Sequence, residues 1–379
     1  MTDQISNAGV LTRRFSGRTS APLPPDELTP EAQAALRQFS YERLLAYGVS
    51  HADAVELRGR VLAGEAWQHV SVELAKTCLS PAEADASRQS LATLANRLYR
   101  ASALLRMSQM MMLRDNSERR SIVIEAADLY AQAARITRDR RKLILTTDQG
   151  DLSGWLYPVQ GSDRVGCAVV IGGIEGWAMD FESMGLALAA RGVETLLLDG
   201  PGQGESRLVQ HHFLTRSWHR SYAAVLDYLI EQTHGAPLAM VGNSMGGSVA
   251  LHLAATHPQI AVCCDNGGPR EPVRSRANNS FFTKMAAHCG DVDFDTAADI
   301  WRTVDPVPPG APVTCPLLIV HGGLDPLVST DEARSLFDSA ASSDKQMVVY
   351  SDGDHCVYNH QEDKHNLIGD WVCSRLQRV

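Results

Sequence analysis

The sequence predicts an α/β fold in which a mostly parallel, doubly wound sheet carries helices on both faces and follows an all-helical domain. Three observations support this prediction. The first third of the 379-residue chain places apolar residues at helical spacing, the remainder alternates short apolar runs with helical segments, and the change falls near residue 141. Strands that alternate with helices are typical of a parallel sheet covered on both sides. We therefore expect a disordered tail at 1–20, a helical domain at 21–141 and the α/β domain at 142–379.

The helical domain is predicted from the spacing of leucines and from the lack of helix breakers. No proline or glycine occurs between Pro81 and Arg141, and both residue types are unfavourable inside helices. Five leucines in this stretch share roughly one side of a helix, and a further helix is expected at about 117–136. The five leucines are Leu91, Leu94, Leu98, Leu104 and Leu105.

The α/β domain is predicted element by element from apolar runs and turn residues. The segment KLILTTDQGDLSGWLYP predicts two strands around a polar turn. The helix FESMGLALAARG ends at Gly192, a residue typical of helix C-termini. In chain order, the further expected strands are CAVVIGG, VETLLLDG, PLAMVGNS, IAVCCDNGG, PLLIVHGG and QMVVY. The further expected helices are SWHRSYAAVLDYLIEQ, MGGSVALHLAATH and the segments around 331–340 and 366–376.

Composition and charge exclude several classes of function. The chain has a formal net charge of −9, whereas a nucleic-acid or anionic-membrane surface needs clustered lysine and arginine. No apolar stretch reaches the ~18 to 20 residues of a membrane helix, and the first 20 residues lack the apolar core of a secretory signal. The eight cysteines form no CxxC pair and no metal-ligand spacing. We therefore expect a reduced, cytoplasmic protein without a metal, a cofactor, a nucleic-acid partner or a membrane partner.

The stretch VGNSMGGS at 241–248 places a serine among glycines, between a strand-like and a helix-like segment. Gly242, Ser244 and Gly246 match G-x-S-x-G, the nucleophile elbow, in which the serine occupies a sharp turn from a strand into a helix. A phosphate-binding loop is the alternative, but the stretch has neither Lys-Ser/Thr after its glycines nor G-x-G-x-x-G spacing. The pattern therefore favours Ser244 as a nucleophile.

A serine nucleophile needs a base and a carboxylate that orients the base. The strand PLLIV runs into a loop with Asp325, and the strand QMVVY runs into a loop with His355. Both loops follow the end of a strand. Along the chain the serine comes first, then the acid and then the histidine, which is the order found in enzymes with a nucleophile elbow. Asp331, inside the next helix, and Asp354, beside the histidine, are weaker candidates for the acid. We therefore expect Asp325 and His355 to act with Ser244.

Two backbone N–H groups are expected to stabilise the negative charge that develops on a substrate oxygen. One belongs to Met245, directly after the serine. The other is assigned to Ile174 in VVIGGIEGW, because the two glycines before it let the backbone approach closely after an earlier strand. Met245 and Ile174 are therefore the predicted oxyanion hole.

These residues resemble the α/β-hydrolase superfamily across about 142–379. The segments GGIEGW, DGPGQGES and GDHCVYN, behind a helical domain of this size, are similar to a narrower group. That group contains the 2,6-dihydropseudooxynicotine hydrolases, the FrsA-like esterases and the fungal polyketide-shortening hydrolases. The resemblance implies that Ser244, Asp325 and His355 are catalytic, that the helical domain is a cap and dimerisation domain, and that the substrate binds between cap and core. It also implies a homodimer.

Three further residues are candidates for the substrate pocket. Glu175 and Trp177 follow the oxyanion loop, where a pocket role and a packing role are equal alternatives. The resemblance implies an acidic pocket residue in the branch that cleaves carbon–carbon bonds. Glu271, in NGGPREPVRS, stands in roughly the region of that residue.

The expected function is that of a serine-dependent hydrolase that forms an acyl-enzyme with a small, aromatic or polyketide-like ketone or ester. Cleavage of a carbon–carbon bond next to the carbonyl is one expected reaction. The alternatives are an esterase or thioesterase and a ring-closing acyl transferase of natural-product biosynthesis. A non-catalytic small-molecule binder on the same fold is an alternative of another class, since fold does not determine function.

Overall fold

The computed structural model describes the chain as two compact units. The described residues are 4–5, 11–12, 20–80, 89–159, 164–273, 279–290 and 292–379. The helical unit comprises Met1–Met112 and Asn116–Arg138, and the α/β unit comprises Leu113–Asp115 and Asp139–Val379. The chain thus passes finally into the α/β unit at residue 139, three residues before the predicted start of the α/β domain. Most of the predicted tail at 1–20 lies outside the described residues.

Five of the helices described in the helical unit begin where a polar side chain caps the backbone. The side chains of Thr29, Ser40, Ser50, Ser90 and Asn116 each accept a hydrogen bond from the N–H three residues later, which satisfies an amide that has no partner within the helix. Among the described residues of this unit, the helices are α1 (Pro30–Gln38), α2 (Tyr41–Ala46), α3 (His51–Leu62), α4 (Trp67–Leu79), α5 (Leu91–Gln109) and α6 (Ser117–Thr137). Two short antiparallel strands, β1 (Gln4–Ile5) and β2 (Leu11–Thr12), precede them.

The predicted leucine face is buried only in part. Leu98, Leu104 and Leu105 are buried, but Leu91 and Leu94 at the start of α5 are 68% and 38% exposed. Periodicity indicates on which side of a helix a residue lies. It does not indicate how far the packing partners extend along that helix, so the first turn is more exposed than the spacing predicts.

The described part of the α/β unit contains an eight-stranded sheet with the order β10-β9-β8-β7-β5-β6-β4-β3. Only the pairs β3–β4 and β4–β6 are antiparallel, and all other pairs are parallel. The strands are β3 (Arg141–Thr147), β4 (Gly150–Tyr157), β5 (Gly166–Ile171), β6 (Val193–Asp199), β7 (Leu238–Asn243), β8 (Ile260–Asn266), β9 (Leu317–Gly322) and β10 (Lys345–Tyr350).

Helices flank this sheet, which confirms the predicted fold class. Those predicted are α7 (Glu182–Ala189), α9 (Trp218–Gln232), α10 (Met245–Thr256), α13 (Thr330–Ser339) and α14 (Gln361–Leu376), which begins five residues earlier than expected. Those not predicted are α8 (Gly204–Leu208), α11 (Asn279–His288) and α12 (Phe294–Arg302). The sequence does carry a signal for α12, because the side chain of Asp293 caps it by accepting from the amides of Asp295 and Thr296.

The core lies around the central strands. Every residue of β5, β6, β7 and β9 is buried, whereas the edge strands β3 and β10 are partly exposed. Continuous burial is expected of parallel strands that are covered on both faces. Because β7, β8, β9 and β10 are neighbours and run parallel, the loops after them emerge at one edge of the sheet.

The described residues include no helix that is both long and apolar enough to span a membrane.

Candidate active site

Ser244 stands on a sharp turn between β7 and α10. Its backbone has φ 54° and ψ −128°, a conformation that costs a non-glycine residue about 1–3 kcal/mol. A Cβ atom on Gly242 would lie 2.1 Å from the carbonyl oxygen of Gly246, and one on Gly246 would lie 2.4 Å from that of Gly172. The two glycines of the predicted motif are therefore required by the close approach of neighbouring backbone.

The structure brings the three predicted polar residues into one hydrogen-bonded series. The Oγ atom of Ser244 lies 2.9 Å from Nε2 of His355, and Nδ1 of His355 lies 2.7 Å from Oδ2 of Asp325. Asp325 Oδ1 also accepts hydrogen bonds from the amides of Leu327 and Val328, at 2.7 and 3.0 Å. Because the Asp325 carboxylate only accepts, Nδ1 of His355 donates to it and leaves Nε2 to accept from the serine.

The weaker candidates for the acid have other surroundings. Oδ1 of Asp354 accepts a hydrogen bond from the amide of Tyr358, which begins the turn after the histidine. Asp331 is exposed in the first turn of α13. The structure thus places Asp325, and neither alternative, at hydrogen-bond distance from the imidazole of His355.

The charges of this series shift the pKa values of its members. Burial alone would raise the pKa of Asp325, but its hydrogen bond to His355 and the charge of that imidazolium hold the pKa below its usual range. Burial works against the imidazolium of His355, yet the Cys356 sulfur and the Asp325 carboxylate together raise its pKa above the ordinary value. A buried carboxylate beside the imidazole therefore favours proton uptake by His355.

The loop that carries His355 has an unusual backbone. Cys356 and Val357 follow it with φ values of 59° and 55°, and positive φ is rare for a β-branched residue. The carbonyl of Cys356 accepts hydrogen bonds from Lys364 Nζ at 2.8 Å and from Asn266 Nδ2 at 3.2 Å. The carbonyl of Asn266 in turn accepts from the amide of Ser244 at 2.9 Å. These contacts join the serine turn to the histidine loop.

Neither Asn266 nor Lys364 was among the predicted site residues. Asn266 ends β8 at the same edge of the sheet as the serine turn. Its position as a polar residue at the end of an apolar strand could have identified it from the sequence as a site residue. Lys364 lies within α14 and is 2% exposed. Nothing in the spacing of the sequence separates it from a surface lysine.

Burial of Lys364 has a consequence for stability. Burial lowers its pKa from 10.5 to about 8, against the opposing charges of Cys356 and Asp354. Between these two pH values the unfolded chain binds the proton more tightly, so lowering the pH from 10.5 to 8 destabilises the native state. By linkage the change is roughly 3 kcal/mol. We expect urea unfolding to show this loss in the wild type between pH 10 and pH 7, but not in Lys364→Met.

The exposed Lys76→Met is the matched control and should keep the pH dependence of the wild type. Other groups titrate in this range in all three proteins, so their contributions cancel in the differences. Equal pH dependence in wild type and Lys364→Met would contradict the prediction.

The two predicted oxyanion residues lie beside Ser244. Met245 is the first residue of α10, where a backbone N–H has no acceptor within the helix. Ile174 follows Gly173, at which a Cβ atom would lie 2.9 Å from Cβ and 3.2 Å from Oγ of Ser244. Both predicted donors therefore belong to backbone that borders the serine.

The predicted pocket residues differ in their surroundings. Glu175 forms an ion pair with Lys284, and each of these side chains is 11% exposed. Trp177 is buried, with the guanidinium of Arg207 5.4 Å from the centre of its ring. Glu271 is exposed. Glu175 and Trp177 thus each contact a charged side chain of the protein, and a pocket role for the three residues remains a prediction.

One cluster among the described residues has donor atoms suited to a metal. Glu65, His69 and Glu73 place one ligand atom each within 4.8 Å of one another. Arg60 Nη2 lies 2.5 Å from a carboxylate oxygen of Glu65 and 2.6 Å from one of Glu73. Because Arg60 already pairs with both carboxylates, these ion pairs account for the cluster, and we assign no metal to it.

Comparisons with known proteins agree with this architecture. The chain is 24% identical over 254 residues to the 2,6-dihydropseudooxynicotine hydrolase of Paenarthrobacter nicotinovorans, covering 65% of this chain and 67% of the relative. It is similar to the crystal structure of the 2,6-dihydroxy-pseudo-oxynicotine hydrolase, with a TM-score of 0.76 and 22% identity over 89% of this chain and 96% of that one. Similarity to AbyA5 gives a TM-score of 0.64 and 15% identity, over 80% and 92% of the two chains. At these identities, the structural likenesses show the fold.

The family comparison is more decisive. The model of the alpha/beta hydrolase family matches residues 169–364, which is more than half of the chain. The matched segment includes Ser244, Asp325 and His355, together with the loop that contains Ile174. The chain therefore belongs to the alpha/beta hydrolase family.

Proposed function

We propose that this protein is a serine-dependent hydrolase that forms an acyl-enzyme with a small ketone or ester. The observation that carries the proposal is the series of hydrogen bonds from Ser244 through His355 to Asp325, with heavy-atom distances of 2.9 and 2.7 Å. A strained serine turn and a buried carboxylate accompany it. These features together are those of an activated nucleophile.

In the proposed mechanism, Ser244 Oγ attacks the substrate carbonyl while Nε2 of His355 takes its proton. The N–H groups of Met245 and Ile174 stabilise the oxyanion that forms. His355 then protonates the leaving group, and Asp325 stabilises the imidazolium and holds its orientation. Water, activated by the same histidine, releases the acyl group and regenerates the serine.

The leaving group separates the candidate reactions. An ester loses an alkoxide, whereas cleavage of a carbon–carbon bond loses a carbanion or enolate and so needs an activated substrate such as a β-diketone or an acylated phenol. The name of the Paenarthrobacter relative, a 2,6-dihydropseudooxynicotine hydrolase, supports testing aromatic ketones first. Esters are the alternative substrates, and an internal nucleophile in place of water would yield a ring. The proposal retains the predicted cap and dimerisation role of residues 21–141.

Labelling with a fluorophosphonate tests the proposal. We expect intact-mass analysis to show a single adduct on the wild type, because the base His355 makes Ser244 a stronger nucleophile than an ordinary serine. Ser244→Ala should show no adduct, and labelling of His355→Ala should be at least about 100-fold slower.

Ser121→Ala, which removes an exposed serine of α6, is the matched control and should label like the wild type. Circular dichroism would show that each variant is folded. A folded wild type that acquires no adduct would contradict the hydrolase proposal and would favour the non-catalytic binder. An adduct that persists in Ser244→Ala would place the nucleophile elsewhere.

A further inference from the structure

A buried glutamine outside the predicted site contacts the predicted oxyanion loop. Gln203 lies in DGPGQGES and is 6% exposed. Its Nε2 atom donates to the carbonyl oxygens of Gly172 at 2.7 Å and Gly173 at 2.9 Å. Its Oε1 atom accepts from the amide of Gly200 at 3.0 Å. The oxygen of the side-chain amide faces an N–H group and its NH₂ group faces two carbonyls. These partners determine the orientation of the amide.

These contacts determine where the adjacent N–H groups point. A trans peptide unit is planar, with its C=O and N–H on opposite sides. Since the carbonyl of Gly173 points at Gln203, the N–H of Ile174 in the same peptide unit points away from Gln203. Gly173 itself lies against Ser244, as the 2.9 Å from its added Cβ to the serine Cβ shows.

The loop is held from a second side by α11. His288 Nε2 lies 3.2 Å from the carbonyl oxygen of Ile174, and Lys284 forms the ion pair with Glu175. Residues four apart lie on one face of a helix, so Lys284 and His288 contact consecutive residues of the loop together. The peptide units on both sides of Ile174 are thus each fixed through their carbonyls.

We propose that Gln203 is a positioning residue that sets the Ile174 N–H as the second donor of the oxyanion hole. The inference rests on the hydrolase function proposed above. Oxyanion donors are effective because they are oriented before the charge develops. Without the two hydrogen bonds from Gln203, the Gly173–Ile174 peptide unit can rotate and must be reoriented in each transition state. Gln203 therefore acts on the transition state and not on ground-state binding.

The test compares the wild type with Gln203→Met, which keeps the length of the side chain and removes its hydrogen bonds. With p-nitrophenyl butyrate as substrate, we expect kcat to fall by about 10- to 100-fold while KM changes less than twofold. The affinity for an aryl trifluoromethyl ketone should fall by the same factor as kcat/KM, because its adduct with the serine carries the oxyanion. A purely structural role would lower the melting temperature without this correlation.

Gln232→Met, at an exposed position in α9, is the matched control and should leave the kinetic constants unchanged.

Gln203→Glu keeps an acceptor for Gly200 and places a carboxyl group against the two carbonyls, so it serves as the second variant if Gln203→Met does not fold. We expect it to lose kcat in the same way. If the wild type is active and a folded Gln203 variant retains kcat within twofold, the inference about Gln203 is overturned while the proposed function stands. A wild type with neither turnover nor ketone binding would overturn the proposed function and this inference with it.

Discussion

Replacing Asp325 with asparagine is expected to lower kcat/KM for p-nitrophenyl butyrate by about 10⁴-fold. The amide of asparagine donates to Nδ1 of His355, at the position where the carboxylate now accepts at 2.7 Å. The imidazole is then held with its proton on Nε2, where it cannot take the proton of Ser244. The imidazolium also loses the buried charge that stabilises it.

The pH profile of the Asp325→Asn variant should move in a defined direction. Catalysis needs neutral His355, so kcat/KM of the wild type should rise with pH through an apparent pKa above the ordinary value for histidine. Burial opposes the imidazolium, and the Asp325 carboxylate helps to raise the pKa against it. Without that charge the pKa falls, so the residual activity of Asp325→Asn should reach its plateau at lower pH than the wild type.

Asp331→Asn is the control, since Asp331 is exposed and was a rival candidate for the acid. It should match the wild type in rate and in pH profile. A loss of less than tenfold in folded Asp325→Asn, or an equal loss in Asp331→Asn, would show that Asp325 is not the acid that orients the base.

Much of the α/β unit could be predicted because its signals are local. Each central strand is a short apolar run that ends at glycine or polar residues, and the strand-turn-helix around Ser244 carries its own pattern. The helix α14 begins five residues before the predicted segment 366–376, and its first turn, Gln361-Glu362-Asp363, is polar like a loop. Acidic residues are nevertheless favourable at a helix N-terminus, so composition alone was misleading there.

The contacts that support the site were not predictable in the same way. Gln203, Asn266 and Lys364 lie in segments far apart in the chain and meet the serine turn, the oxyanion loop or the histidine loop only through folding. The pairing of a side chain with a particular carbonyl group depends on the strand order and on the geometry of the loops. The spacing of residues in the sequence does not indicate this pairing. DGPGQGES contributes to the family resemblance in the sequence, but only the folded structure shows that its glutamine contacts the oxyanion loop.

The second large effect is expected from Gly246→Ala in the serine turn. The added Cβ atom would lie 2.4 Å from the carbonyl oxygen of Gly172 and 2.5 Å from that of Ile171. Both contacts are with backbone, which cannot rotate away as a side chain can. Either the start of α10 or the oxyanion loop must therefore move by several tenths of an ångström. We expect kcat/KM for p-nitrophenyl butyrate to fall by about 100-fold and the free energy of unfolding to fall by about 1–3 kcal/mol.

Gly310→Ala is the matched control for adding one methyl group. Nothing lies within 4 Å of a Cβ atom at that position, although its φ of 74° is strained for alanine. Its stability should therefore fall by about 1 kcal/mol while kcat/KM stays at the wild-type value. The positive φ is absent at Gly246, so a loss of activity there reflects the steric contact with the two carbonyls. Full activity in Gly246→Ala would mean that the serine turn and the oxyanion loop can move apart without loss of catalysis. It would contradict the prediction that catalysis requires their close approach.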